Sequence, residues 1–410
     1  MMMTPMAGVQ GARRVARAAW LADVAIGLVL LLAFLDLPNY LAALNPDFQP
    51  KRLYFLMAGV CVVHLAVSRR FSLRESRPGL LMLLLVYMLV NVMHAALGTH
   101  VAGSDAAREA WFRIQIVVLS ILLAWSASTL SAQTLARLFA GCALLVALTV
   151  AFDFVVPGVL YPHSAEGAVP GRAAGILVNS TRTGEVLILT TLLALPVLDP
   201  RRRLWLMLIV GASVLMTLSR GAITIWILVY VALAASAWLP RASLGVLATL
   251  IAVMLSSAGL LVAYQASLNP AADVADLSQR LGFFSGDVPT DDSAVERTLV
   301  FIDGLKLFAQ NWLFGAGVGA TQVWQHAVGP HNQFVLMAAE YGLIGALGWL
   351  GLIVFVVSGG YFGVRSLQWV AAAVVVLFSG LMHGMLDFPF WIVALMLIAS
   401  RPHRADFSSR

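Results

Sequence analysis

Long apolar blocks, separated by shorter polar connections, fill most of this chain. A helix needs about 20 apolar residues to cross roughly 30 Å of hydrocarbon. Twelve stretches approach that length, at 18–37, 53–68, 79–97, 110–128, 138–156, 183–198, 204–219, 221–239, 243–264, 335–357, 369–386 and 388–400. The pattern predicts an all-α polytopic membrane protein of about 12 transmembrane helices. One long break interrupts it, dividing the chain into residues 1–264 with nine spans, a large loop over 265–334, and residues 335–410 with three spans and a tail. Within that loop, Ser293-Ala-Val-Glu296 has the S-x-x-E form of a capping box. Val295, Leu299 and Ile302 follow at near-helical spacing, which predicts a helix over about 294–311.

Composition narrows the class. Hydrophobic residues make up 60% of the 410 and charged residues only 11%, against about 25% charged in an ordinary soluble domain, which excludes a water-soluble globular enzyme. The formal net charge is +6, and 24 of the 26 bases are Arg, Lys standing only at 51 and 306. These bases are scattered between apolar runs and form no dense solvated patch, so nucleic acid is not a partner. Cys61 and Cys142 both fall inside apolar runs, as buried free thiols do. Arg13, Arg14 and Arg17 ahead of the first apolar block resemble the start of a signal peptide, but no small-residue cleavage site follows and further spans do, so the block reads as an uncleaved first span.

Orientation follows from the same bases, because Lys and Arg accumulate in short cytoplasmic loops. With the N-terminus inside, the clusters at 13–17, 69–77, 201–203 and 401–410, with Arg137, Arg241 and Arg365, all become cytoplasmic, 16 of the 26 bases in total. Both termini are then cytoplasmic, and the acidic 265–330 loop and a smaller one at 157–182 face outward.

Candidate chemistry gathers at that outer face. Arg182 precedes the sixth span, Arg220 occupies the short connection Thr-Leu-Ser-Arg220-Gly-Ala between the seventh and eighth, and Arg297 lies in the first turns of the loop helix. A snorkelling guanidinium at a helix end is the plain alternative for each. For Arg297, whose charge opposes the helix dipole, pairing with Asp291 or Asp292 explains the placement as well as an anionic ligand does. His331, in Gly-Pro-His331-Asn-Gln-Phe, is flanked by a proline and a polar pair at a helix start. The positive end of the dipole there favours a neutral imidazole, suited to a general base, although a capping role fits the same position. Glu185, Glu340, Asp153 and Asp387 sit at or near span ends, where carboxylates bind substrate or pair with an Arg. His326 and His331 are five apart with no acidic ligand at a recognised spacing, so no metal site is expected. Gly315-Ala-Gly317-Val-Gly319 lacks the strand and helix of a dinucleotide fold and reads as a turn, and no Walker A motif occurs.

Several of these pieces resemble one family. Gly-Arg172-Ala-Ala-Gly175, Thr-Leu-Ser-Arg220-Gly-Ala, the Glu296-Arg297 pair, Asn311-Trp-Leu-Phe-Gly315-Ala-Gly317, and His331-Asn332 followed by Glu340-Tyr-Gly342-Leu-Ile-Gly345 look like the O-antigen ligase and polymerase family of bacterial inner-membrane glycosyltransferases. Ser180-Thr-Arg182 departs from the family, which often has a second Asn there. The resemblance implies a GT-C-like fold with a periplasmic helical loop, a donor glycan on undecaprenyl diphosphate, a lipid A-core acceptor, membrane lipid as surroundings, and no cofactor. It further implies that Arg220 and Arg297 offset charge on the diphosphate leaving group and that His331 activates the acceptor in an inverting transfer. Arg172, Arg182, Arg280, Asn332 and Asp387 would bind substrate, and Trp312, Trp324, Phe283 and Phe284 would offer stacking surfaces or simply pack.

Within the family, ligase is favoured over polymerase. Polymerases often show R-x10-G in outer loops, whereas Arg172, Arg220, Arg280 and Arg297 are followed at that spacing by Thr183, Val231, Asp291 and Phe308. Protein O-oligosaccharyltransferases commonly carry a further C-terminal region, while this chain ends soon after Asp387. A secondary transporter, the alternative from another class, would show interrupted helices or matching halves.

Overall fold

The computed structural model describes residues 6–68, 77–97, 106–165, 167–169, 171–268, 292–326 and 329–400. Arg280, Phe283 and Phe284 lie outside them, as do most bases of the 69–77 and 401–410 clusters. Among the described residues there are helices and no strands. The helices are α1 (Met6–Phe34), α2 (Leu37–Leu44), α3 (Pro50–Ser68), α4 (Pro78–Leu97), α5 (Ala106–Ser128), α6 (Ala132–Val155), α7 (Ser180–Ala194), α8 (Pro200–Met216), α9 (Arg220–Ala235), α10 (Ser243–Leu268), α11 (Asp292–Gln310), α12 (Gln333–Val357), α13 (Arg365–Leu381) and α14 (Pro389–Ala399).

Each of the twelve apolar stretches coincides with a helix. Among the described residues five helices, α3, α4, α5, α6 and α12, are long and apolar enough to cross a membrane, and α1 with α2 adds a sixth as a pair bent by 56°. The chain is a multi-pass membrane protein. Outward-facing Phe55, Leu56, Val63 and Leu89 on α3 and α4 give it an apolar exterior, as a lipid solvent requires.

Local sequence sets several helix starts. Asn179 Oδ1 accepts the Thr181 and Arg182 N–H groups at 3.0 and 3.1 Å to start α7. Asp199 does the same for Arg202 at 3.0 Å, with Pro200 at the first helical position of α8. The loop helix, expected over 294–311, runs from Asp292 to Gln310. The side chain of Ser293 lies outside the described residues, and with it the expected capping box.

The short α14 lies at the centre. All its residues are buried, and it packs against α5, α12, α1 and α7. Its brevity has a physical reason: a helix apolar all round is stable when protein surrounds it, and needs no membrane-spanning length there.

The expected continuous helix over 335–357 is broken. At Gly342 of α12 the backbone turns to φ 64°, ψ −151°, a region open essentially to glycine alone. The freed backbone groups are taken up by the segment after α11: Ala316 N–H donates to Ala339 O at 2.8 Å, Gly317 N–H to Glu340 O at 3.1 Å, and Trp312 O accepts from Leu343 N–H at 2.7 Å. The glycine run read as a turn is thus the segment that docks against the break, and Gly315, at φ 78°, is part of it. A side chain on Gly315 would collide with the Glu340 carbonyl.

Candidate functional site

A cavity of about 1960 Å³ opens where the starts of α5, α7, α9 and α11 meet the segments 162–179, 321–331 and 381–388. Arg172, Arg182, Arg220, Arg297, His331 and Asp387 all line it, so residues far apart in sequence converge on one space. Asn332 does not line it; its Oδ1 accepts the Val335 N–H at 3.1 Å to cap α12, and its Nδ2 donates to Gly380 O at 3.3 Å.

The four guanidinium groups are held differently. Arg172 sits at the end of a loop fixed by Asp153, a buried carboxylate of α6 whose Oδ2 accepts the Ala174 N–H at 2.8 Å, the Gly175 N–H at 3.0 Å and the Tyr161 hydroxyl at 2.8 Å. Arg172 Nε then donates to Thr217 O at 3.2 Å. Arg182 pairs with Asp36 at 3.0 Å and lies over the Phe388 ring at 3.9 Å. Arg220 is not in a connection, as expected from the sequence, but is the first residue of α9, half-buried with Ser219 at the cap. Arg297 is exposed on α11.

His331 lies in the short lead into α12, half-buried, its ring edge-on to that of His383 with centroids 5.0 Å apart. Burial first, then His383 and Arg297, push the His331 pKa down to about 4. A neutral imidazole was expected from the helix dipole; burial is the larger cause. Burial likewise lowers His383. Behind the 321–326 segment, His326 is tied to Asp303 at 2.8 Å, and Lys306 with His326 holds that carboxyl down at about 2.

A feature that the sequence reading did not single out forms the floor. Arg113 on α5 is 2% exposed, yet it lines the cavity and meets three carboxylates: Glu109 at 2.9 Å, Glu340 at 2.5 Å and Asp387 at 3.1 Å. It also donates to the Tyr341 hydroxyl at 2.7 Å, which in turn donates to Asn91 Oδ1 at 3.0 Å. Glu340 is completed by the Thr321 hydroxyl at 2.6 Å. A signal existed: Arg113 is a lone base inside an apolar block with Glu109 four residues earlier, and an ionisable group at membrane depth is a functional candidate by default. Among the described residues no three His, Cys, Asp or Glu side chains converge in a way that holds a metal ion.

Four Arg, a neutral imidazole and the buried Arg113 cluster thus share one lining, whose positive charge suits an anionic group. Residues 205–350 match a family model described as O-antigen ligase. No curated protein and no solved structure matches the chain.

Proposed function

From a chain whose residues 205–350 carry an O-antigen ligase family domain, we propose an enzyme that moves a glycan from undecaprenyl diphosphate to the lipid A-core oligosaccharide at the periplasmic face of a bacterial inner membrane. The chain would cross that membrane about 12 times in a GT-C-like arrangement, with both termini in the cytoplasm. The observation that carries this reading is the convergence of four Arg and His331 on one cavity.

In this mechanism the bond between the donor's anomeric carbon and the diphosphate oxygen breaks as an acceptor hydroxyl oxygen attacks the same carbon from the opposite face. Negative charge grows on the leaving diphosphate. Arg220 and Arg297 offset it, and as planar forks they meet two oxygens at once. His331 takes the proton from the attacking hydroxyl, for which its neutral state is the competent one. The donor is already activated by its diphosphate, so the scheme needs neither nucleotide nor metal. Arg172 and Arg182 serve the anion from beside the start of α9, and Asp387, steadied by Arg113, faces the sugars.

The test is the surface-polysaccharide profile of a deletion strain. The expected result is a lipid A-core without polymer, with lipid-linked polymer accumulating. Single repeat units on the core would mean a polymerase, and an unchanged profile would remove both readings.

A further inference from the structure

One ionisable side chain in the cavity wall has no part in the scheme above. Glu185 lies in the second turn of α7, is 7% exposed and lines the cavity. Its Oε2 accepts the Trp391 indole N–H at 2.5 Å, from the buried central helix. Among the described residues no other hydrogen bond and no ion pair reaches it, and Oε1 is not sealed away from the cavity. The adjacent base, Arg182, is engaged by Asp36 and by the Phe388 ring.

The other carboxylates buried near the site are better satisfied. Asp153 has three donors, Glu340 is bonded by Arg113 and Thr321, and Asp36 by Asn39 and Arg182. A carboxylate has about four acceptor positions, and a buried acceptor without donors is costly. Glu185 is therefore a polar group short of donors, facing a space large enough to supply them.

Its place in the cavity identifies what would do so. Gly184 lets α7 approach α9 so closely that a side chain there would collide with Ala222, and Thr181 Oγ1 lies 3.4 Å from Ser219 Oγ. This turn of α7 thus adjoins the start of α9, which carries Arg220. A diphosphate offers no donors and would be repelled by a carboxylate, whereas the sugar attached to it is rich in hydroxyl donors. We propose that Glu185 binds the donor glycan: Oε1 accepts a hydroxyl of the sugar next to the diphosphate, while Trp391 holds the carboxylate in place. The inference rests on the function proposed above and adds to it a residue that reads the sugar rather than the lipid diphosphate.

The experiment compares two probes on purified full-length protein: bare undecaprenyl diphosphate, and the lipid-linked glycan extracted from the deletion strain. The variant is Glu185→Gln, which keeps the size of the side chain. Its amide oxygen turns to the Trp391 N–H, so an N–H donor replaces the oxygen offered to the sugar. The expected result is binding of the lipid-linked glycan weakened by about tenfold or more, with bare undecaprenyl diphosphate bound as by the wild type, which also reports a folded site. Unchanged binding of the lipid-linked glycan, or equal loss of both probes, overturns the role of Glu185 and leaves the function standing. A wild-type protein that binds neither probe removes the function and this inference with it.

Discussion

Replacing Gly342 by Ala tests the break in α12 on which the floor of the cavity is hung. A Cβ at this position would lie 2.5 Å from the Gly315 nitrogen and from the carbonyl carbon and oxygen of Leu313. These are backbone atoms of a docked segment and cannot swing aside. The native φ of 64° with ψ −151° adds conformational strain, of order 1–3 kcal/mol. If the chain relieves both by straightening the helix, it gives up the hydrogen bonds of Ala316, Gly317 and Trp312 across the break, each worth about 1 kcal/mol. Relief by that route costs about 3 kcal/mol, set against the roughly 5–15 kcal/mol that holds a domain folded. Thr321, on the continuation of the displaced segment, would lose its grip on Glu340. The expected outcome is a lower Tm in detergent and a severe loss of transfer. Gly348→Ala in the same helix is the control: nothing lies within 4 Å of a Cβ there, so it should be neutral or stabilise by about 0.5–1 kcal/mol. A Gly342→Ala protein with wild-type Tm and transfer would show that the break carries no load.

Other outcomes follow from the same geometry. Arg220→Lys and Arg297→Lys keep the charge but lose the planar fork, so single-turnover transfer should fall a hundredfold or more, about 3 kcal/mol of transition-state stabilisation; wild-type rates in both would remove them from the diphosphate. With His331 at about 4 against an ordinary 6.5, the imidazole stays neutral across the interval, and the acid limb of the transfer rate should have its midpoint near 4. The unfolded chain takes up this proton near 6.5, so the stability His331 contributes is full above that pH and declines as pH falls toward 4; a limb at 6.5 contradicts the assignment. Asp153→Ala strands the Ala174 and Gly175 N–H groups and the Tyr161 hydroxyl, and should lower stability by about 3 kcal/mol in thermal or denaturant unfolding, with weaker donor binding through a displaced Arg172.

Helix positions were legible in the sequence because burial in lipid or protein leaves long apolar blocks, and the convergence of Arg172, Arg182, Arg220 and Arg297 with His331 could be approached from motif order alone. The break in α12 could not. Gly342, Gly345, Gly348 and Gly351 are all glycines of one helix, and only the first is non-helical, because only there does the segment after α11 supply partners for the freed backbone groups. That is a tertiary cause without a local signature. Asp387 illustrates the same limit: the sequence allows it an Arg partner without saying which, and the partner is Arg113 in the middle of the packed helices. His383 carries no local signal either, because its contact is with a ring 52 residues earlier, His331, which it meets edge-on.

The matched segment 205–350 supplies Arg220, Arg297, His331 and Glu340, yet it does not enclose the cavity by itself. Glu340 is 0% exposed, and the base that pairs with it, Arg113, comes from α5. Asp387, joined to the same guanidinium, comes from the segment before α14, and Arg182, Glu185 and Asp153 come from α6 and α7. A buried carboxylate deprived of its partner leaves an uncompensated charge, which is far more damaging than the loss of an exposed ion pair. Arg113 therefore ties the family segment to the helices before and after it, and the chemistry belongs to the assembled bundle. The same tie explains why three carboxylates meet one guanidinium at the floor: each arrives on a different element, α5, α12 and the 385–387 turn, and the single cation holds the three elements together beneath the cavity.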